Sequence, residues 1–186
     1  MILKLHEYIS KVKSIGRTGW IEAGIEEPET IAEHMYSASL IAYMISRYFK
    51  LDSDKTLKVI ILSLIHDLPE AVVGDIPTPR KKQSDLEREF RVLANIFDIV
   101  GLPDDWISEL KRLDTLEAKI VKLADYISTL LQGINYWLSG VRNERIKEII
   151  SNYIDWSTGI LNDPMLSNIR SIIIPIINKA IELLKS

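Results

Sequence analysis

The sequence predicts an all-α protein, folded as one helical domain over residues 1–186. Three observations lead there. Apolar residues recur at helical spacing along most of the chain, as in Leu3, Leu5, Tyr8, Ile9 and Val12. Helix-start signals of the Thr, Ser or Asp type repeatedly precede these apolar faces. The 8 glycines and 7 prolines gather in a few breaks, and 47% of residues are hydrophobic, which suffices for a sizeable core at this length.

Leu3 to Val12 supplies a first helix, and Ile15 to Glu29, broken by Gly16, Gly19, Gly24 and Pro28, reads as a loop. Thr30-Ile31-Ala32-Glu33 has the form of a capping box, so a second helix starts there with His34 in its first turn and Ala38, Ile41, Ala42 and Ile45 turned inward. Asp52-Ser53-Asp54 caps a third helix that runs through an apolar stretch to His66-Asp67. Pro69, Gly74, Pro77 and Pro79 then mark an irregular loop, where chemistry is often placed. Ser84-Asp85-Leu86-Glu87 is a second capping box, opening a helix to about Val100, and a short helix follows from Pro103-Asp104 through Leu110. Asp114-Thr115-Leu116-Glu117 caps a long helix that carries Val121, Lys122 and Asp125 in register. A further helix is expected from Arg142 to about Leu161, and Asp163-Pro164 suits the start of a last one, which Pro175 should kink or split.

Composition narrows the function classes. A formal charge of −3 leaves no electrostatic footprint for nucleic acid, and the single basic cluster, Arg80-Lys81-Lys82, reads as a solvated loop. The chain has no cysteine, so a metal would be held by His, Asp, Glu or backbone oxygen. The N-terminus turns polar too early for a secretory signal, and no apolar run approaches the roughly 20 residues of a membrane span. A protein of the cytoplasm acting on a small molecule, without a membrane or nucleic-acid partner, is expected.

The three histidines are His6, His34 and His66. Neighbouring antiparallel helices would bring His34, at the start of one, beside His66-Asp67, at the end of the next. Asp125 is an acid within an apolar helical segment. Taken singly, each is more simply a satisfied structural residue; together, polar residues on three helices point to one shared site, because buried carboxylates need a cation or hydrogen-bond partner. His6 sits on an apolar face and is expected to be structural.

Here the chain resembles the HD-domain metal phosphohydrolases, through Glu33-His34, His66-Asp67 and Asp125. More narrowly, it is similar to the branch that includes bacterial 5′-deoxynucleotidase and the HD domain-containing protein 2 family. That closer likeness rests on Arg17-Thr18-Gly19-Trp20, on 29–36, on His66 to Glu70 with Gly74-Asp75-Ile76, and on Glu117 to Lys122 with Asp125. In the bacterial enzyme the arginine and tryptophan are adjacent, whereas Thr18-Gly19 separates them here.

The resemblance implies that His34, His66, Asp67 and Asp125 bind one divalent ion, such as Mn²⁺ or Co²⁺. It implies catalytic roles for Glu70 and Asp75, and leaves open a second ion, such as Mg²⁺, held by Glu70, Asp75 and the Ile76 backbone. Arg17 offers a guanidinium fork for phosphate, and Trp20 either stacks on a base or sugar or pins the loop to the core. Lys122, with Lys119 as the alternative, and Thr78 complete the expected phosphate contacts. The activity implied is 5′-nucleotidase: release of phosphate from nucleoside 5′-monophosphates, deoxy forms preferred, by direct attack of water. The alternatives are an HD-type phosphodiesterase, a nucleoside triphosphate hydrolase, and a non-catalytic nucleotide-binding module. A homodimer or higher homo-oligomer is compatible with the resemblance, with the apolar helix over 169–184 as its candidate face.

Overall fold

Each apolar period in the sequence closes into a helix. The computed structural model describes residues 1–185, which form α1 (Ile2–Val12), α2 (Thr18–Glu22), α3 (Ile31–Tyr48), α4 (Ser53–Ile65), α5 (Glu70–Val73), α6 (Gln83–Val100), α7 (Asp105–Arg112), α8 (Leu116–Leu138), α9 (Glu144–Leu161) and α10 (Arg170–Lys185). Short 3-10 turns cover Thr78–Arg80 and Pro164–Ile169. Among the described residues, no helix is long and apolar enough to cross a membrane.

Helix α8 is apolar around most of its circumference, with Ile120, Leu123, Ala124, Ile127 and Leu130 all buried. A helix of that kind belongs at the centre of a bundle, and α3, α4 and α9 pack around it. Gly133 sets the approach of α9: a Cβ there would lie 2.9 Å from Ile150 Cγ1 and 3.4 Å from the Trp20 ring. A smaller apolar cluster of Val12, Ile31, Met35, Leu68, Ala71 and Ile96 joins α1, α3, α5 and α6 beneath the end of α4.

The caps follow the sequence closely in three places. Thr30 Oγ1 accepts the Glu33 N–H, and the Glu33 carboxylate accepts the Thr30 N–H at 2.7 Å. Asp52 caps α4 through the Lys55 N–H, and Thr115 caps α8 through the Ala118 N–H.

Four expectations change. The 15–29 loop contains the short helix α2, because the Arg17 carbonyl accepts from both Trp20 and Ile21 while Trp20 is drawn into the core. The irregular loop after His66-Asp67 contains α5, which ends at Gly74 with φ +83, a conformation suited to glycine. Helix α6 begins at Gln83, and its cap is the Asp85 carboxylate on the Lys82 N–H, not the Ser84 box. Pro175 does not split α10, which runs unbroken from Arg170 to Lys185 with its face of Ile173, Ile177 and Ala180 buried against the bundle. Ile172 and Ile174 on the same helix stay exposed.

Candidate metal centre and substrate cleft

The capping box fixes where α3 begins, and so places His34 in its first turn, fully buried. His66 directly follows α4, and its Nδ1 lies 2.8 Å from the Ser63 carbonyl. That bond places a proton on Nδ1 and turns Nε2 inward. Helix α8 brings Asp125 to the same point from the opposite wall. His34 Nε2 lies 3.2 Å from Asp125 Oδ1 and 3.6 Å from Asp67 Oδ2. His66 Nε2 lies 3.3 Å from Asp67 Oδ2 and 4.0 Å from Asp125 Oδ1.

Both Nε2 atoms are buried without a hydrogen-bond partner. Unpaired buried polar atoms call for an explanation, and a cation supplies one. Ligand atoms of His34, His66 and Asp67 lie within 4.8 Å of one another, and Asp125 Oδ1 faces both histidines. Two imidazoles and two carboxylates suit a first-row divalent ion, so the residues present fit one.

His34 and the two carboxylates are in the protonation states a cation needs, whereas His66 favours its charged form. Burial and the Arg17 charge lower the His34 pKa to about 4, against the pull of Asp125 and Asp67, so its ring is neutral at pH 7. For His66, burial is outweighed by Asp67 and Asp125, and the pKa rises. Asp67 is held low despite burial by His66 and His34, and Asp125 by Lys122 and the two histidines.

A cleft of about 730 Å³, open to solvent, leads to this centre. Arg17, Asp67, Glu70, Asp75, Ile76, Thr78, Lys81, Lys122 and Asp125 line it. Arg17 Nη1 donates to Thr129 Oγ1 at 3.0 Å and lies 3.9 Å from Glu29, while burial of its charge is outweighed by Tyr153, Asp67 and Glu29. Glu70 is buried, and desolvation with the nearby Asp67 and Asp75 pushes its carboxyl well above the usual range, against Lys81 and Arg17. Asp75 accepts the Thr18 N–H on Oδ2, and its carbonyl accepts the Thr18 hydroxyl at 2.8 Å. Lys122 Nζ bonds Asp125 Oδ2 at 3.0 Å and stays half-exposed at the wall. A second, more apolar cleft, lined by Leu86, Phe90, Leu93, Leu110, Leu113 and Val121, meets the centre from the side of α6 and α7.

The structure gives the remaining residues their surroundings. Trp20 is 1% exposed, its Nε1 donates to Glu29 at 3.1 Å, and its ring meets Tyr136 edge-on at 5.2 Å. These contacts pin the loop, one of the two roles the sequence left open, and Trp20 also borders the cleft. Lys119 is committed to Asp163 at 2.6 Å, away from the cleft. Lys81 is not a solvated loop residue: it lies half-buried 2.8 Å from Glu89 and 3.9 Å from Glu70. The pair suggested for a second ion thus has the Lys81 ammonium near Glu70 and the Thr18 N–H on Asp75. His6 is exposed on α1, bonded to Ser10.

The sequence reading missed Thr129, Glu29, Lys81 and a whole wall of the cleft on α9. Thr129 lies one turn beyond Asp125, a register that marks it out. Arg145, Ile149, Asn152, Tyr153 and Trp156 also share one helical face, a mixed polar and aromatic stripe that signals something other than core.

The HD domain family model matches residues 9–155. The 5′-deoxynucleotidase HDDC2 of Mus musculus is 31% identical over 144 residues, covering 73% of this chain and 69% of the relative. The Homo sapiens protein of the same name is 27% identical over 179 residues, covering 91% and 83%. A solved structure of a conserved hypothetical protein from Pyrococcus furiosus superposes with a TM-score of 0.80 at 27% identity, over 94% of this chain and 98% of that one. The match spans α3, α4 and α8, the helices that gather His34, His66-Asp67 and Asp125, and the chain belongs to the HD domain family.

Proposed function

We propose that this chain is a metal-dependent 5′-nucleotidase that hydrolyses nucleoside 5′-monophosphates, deoxy forms preferred, to nucleoside and phosphate in the cytoplasm. The observation that carries the reading is the convergence of two unpartnered, buried imidazole nitrogens with Asp67 and Asp125 at the end of a cleft that also holds Arg17. The relatives' name, 5′-deoxynucleotidase, supports it independently.

In this proposal His34, His66, Asp67 and Asp125 hold one divalent ion. When bound, that ion supplies Lewis acidity that activates water and neutralises phosphoryl charge. Arg17, held between Thr129 and Glu29, pairs with the phosphoryl oxygens, and Lys122 and Thr78 flank them. Glu70, buried and kept protonated by its acidic neighbours, gives its proton to the leaving 5′-oxygen as the P–O bond breaks. Asp75, tied to Thr18, holds the loop that positions Glu70 and Thr78. The working unit is the whole chain as one domain, because α9 walls the cleft and α10 covers α9.

The test is phosphate release from a panel of ribo- and deoxyribonucleoside 5′-monophosphates, using chelator-stripped protein with Mg²⁺, Mn²⁺ and Co²⁺ restored separately. Metal-dependent formation of phosphate and nucleoside is the expected result. Protein that binds the metal yet frees phosphate from no monophosphate overturns the reading in favour of a diesterase or a binding module.

A further inference from the structure

The wall on α9 has no part in holding phosphate or metal, yet it shapes the cleft that leads to them. Its residues change character along the helix. Arg145 stands at the mouth, where it and Arg80 clasp Glu22 at 2.7 and 2.6 Å. Ile149 follows, its Cδ1 within 3.5 Å of where a Gly19 side chain would begin. Tyr153 lies beside Arg17 and Thr129, and its ring meets Trp156 at 4.8 Å and Tyr126 at 5.9 Å. Between the mouth and Tyr153 sits Asn152, half-buried in the cleft wall.

Asn152 is the exception on this face. Arg145 is spent on Glu22 and Glu148, and Tyr153 is packed between Trp156 and Tyr126. Among the described residues, the Asn152 amide makes no hydrogen bond. A primary amide carries two donors and an acceptor, and in this half-buried wall all of them are open to the cleft. Ligand clefts are built this way, from apolar and aromatic surface with a few polar groups that fix orientation.

We infer that Ile149, Asn152 and Trp156 form a nucleobase subsite, in which the Asn152 amide hydrogen-bonds the edge of the base. The inference rests on the nucleotidase reading and deepens it. Phosphate sits at the Arg17 end, the sugar passes Tyr153, and the base reaches the only uncommitted amide on the α9 wall. Asparagine is suited to the task, because adjacent donor and acceptor atoms match the paired groups on a base edge. Asn152 is therefore a specificity residue that separates nucleotides from sugar phosphates lacking a base.

The experiment compares a 2′-deoxynucleoside 5′-monophosphate with 2-deoxyribose 5-phosphate on the metal-loaded full chain. Asn152→Ala lowers the ratio of kcat/KM for the nucleotide over the sugar phosphate by about tenfold, carried on KM. Asn152→Asp keeps the side-chain shape but loses both donor hydrogens, and shows the same selective loss. Variants that alter neither compound, or both alike, overturn the subsite while the wild type still turns over nucleotide. A wild type that frees phosphate from neither compound overturns the nucleotidase reading, and this inference with it.

Discussion

Thr18 and Asp75 bind each other twice, backbone N–H to carboxylate and hydroxyl to backbone carbonyl, and so lock the segment that carries Arg17 to the segment that carries Thr78. Thr18→Val keeps the shape and deletes the hydroxyl bond, worth about 1 kcal/mol. Unfolding in urea should show that loss. Phosphate release should fall further than stability does, because Arg17 loses its register with the segment of Glu70 and Thr78. Equal, small effects on both would place the pair outside the working site.

Trp20 belongs to the scaffold of that same segment. Trp20→Ala should cost about 3–5 kcal/mol, the usual penalty for emptying a large aromatic site. Trp20→Phe retains most of the packing and loses the bond from Nε1 to Glu29. It should lower the melting temperature while leaving KM for nucleotide within about twofold. A large rise in KM in the phenylalanine variant would return Trp20 to the substrate.

Metal binding should depend on pH through His66. Its pKa lies above the ordinary histidine value in the metal-free protein, because Asp67 and Asp125 favour the charged ring over the opposing effect of burial. A cation must displace that proton. Affinity for Mn²⁺ should therefore climb as pH rises from about 6 through the raised His66 pKa and level off above it. Calorimetry at pH 6.5 in buffers of different ionisation enthalpy should register proton release. His34, with a pKa of about 4, contributes no proton in this range, and His34→Ala should abolish the binding signal.

Glu70 separates chemistry from fold. Its carboxyl is raised, so its stabilising contribution is complete at low pH and is lost as pH rises through the folded value. Glu70→Gln mimics the protonated form and should be at least as stable as the wild type at pH 8. Metal binding should persist while kcat drops by about 10²–10⁴-fold. Full turnover in this variant would remove Glu70 from proton transfer.

What the sequence made legible was local. The Thr30–Glu33 box, the Asp52 and Thr115 caps and the helical register of Asp125 are all short-range signals, and they placed the starts of α3, α4 and α8 close to where the structure has them. Trp20 was ambiguous because its partners, Glu29 and Tyr136, come from another loop and another helix, and only folding shows that they occupy it. Lys81 read as solvated because Glu70 and Glu89 are brought to it by the turn at 78–80 and by α6. The α9 stripe carried a readable mixture of polar and aromatic residues, but nothing in its spacing told which helix it would face. Of the kink or split expected at Pro175, the split does not occur, because the buried face of Ile173 and Ile177 holds the helix together through it.

The centre is assembled from widely spaced parts of the chain: His34 and Asp125 are separated by about half its length. Synthesis runs from the N-terminus at about 5–20 residues per second. A growing chain thus carries His34, His66 and Asp67 outside the ribosome for several seconds before Asp125 emerges on α8. Throughout that interval His34, His66 and Asp67 exist without Asp125, and Arg17 lacks its partner Thr129. Catalytic competence arrives late, after α8 has emerged and packed, so truncated or stalled products carry no working centre.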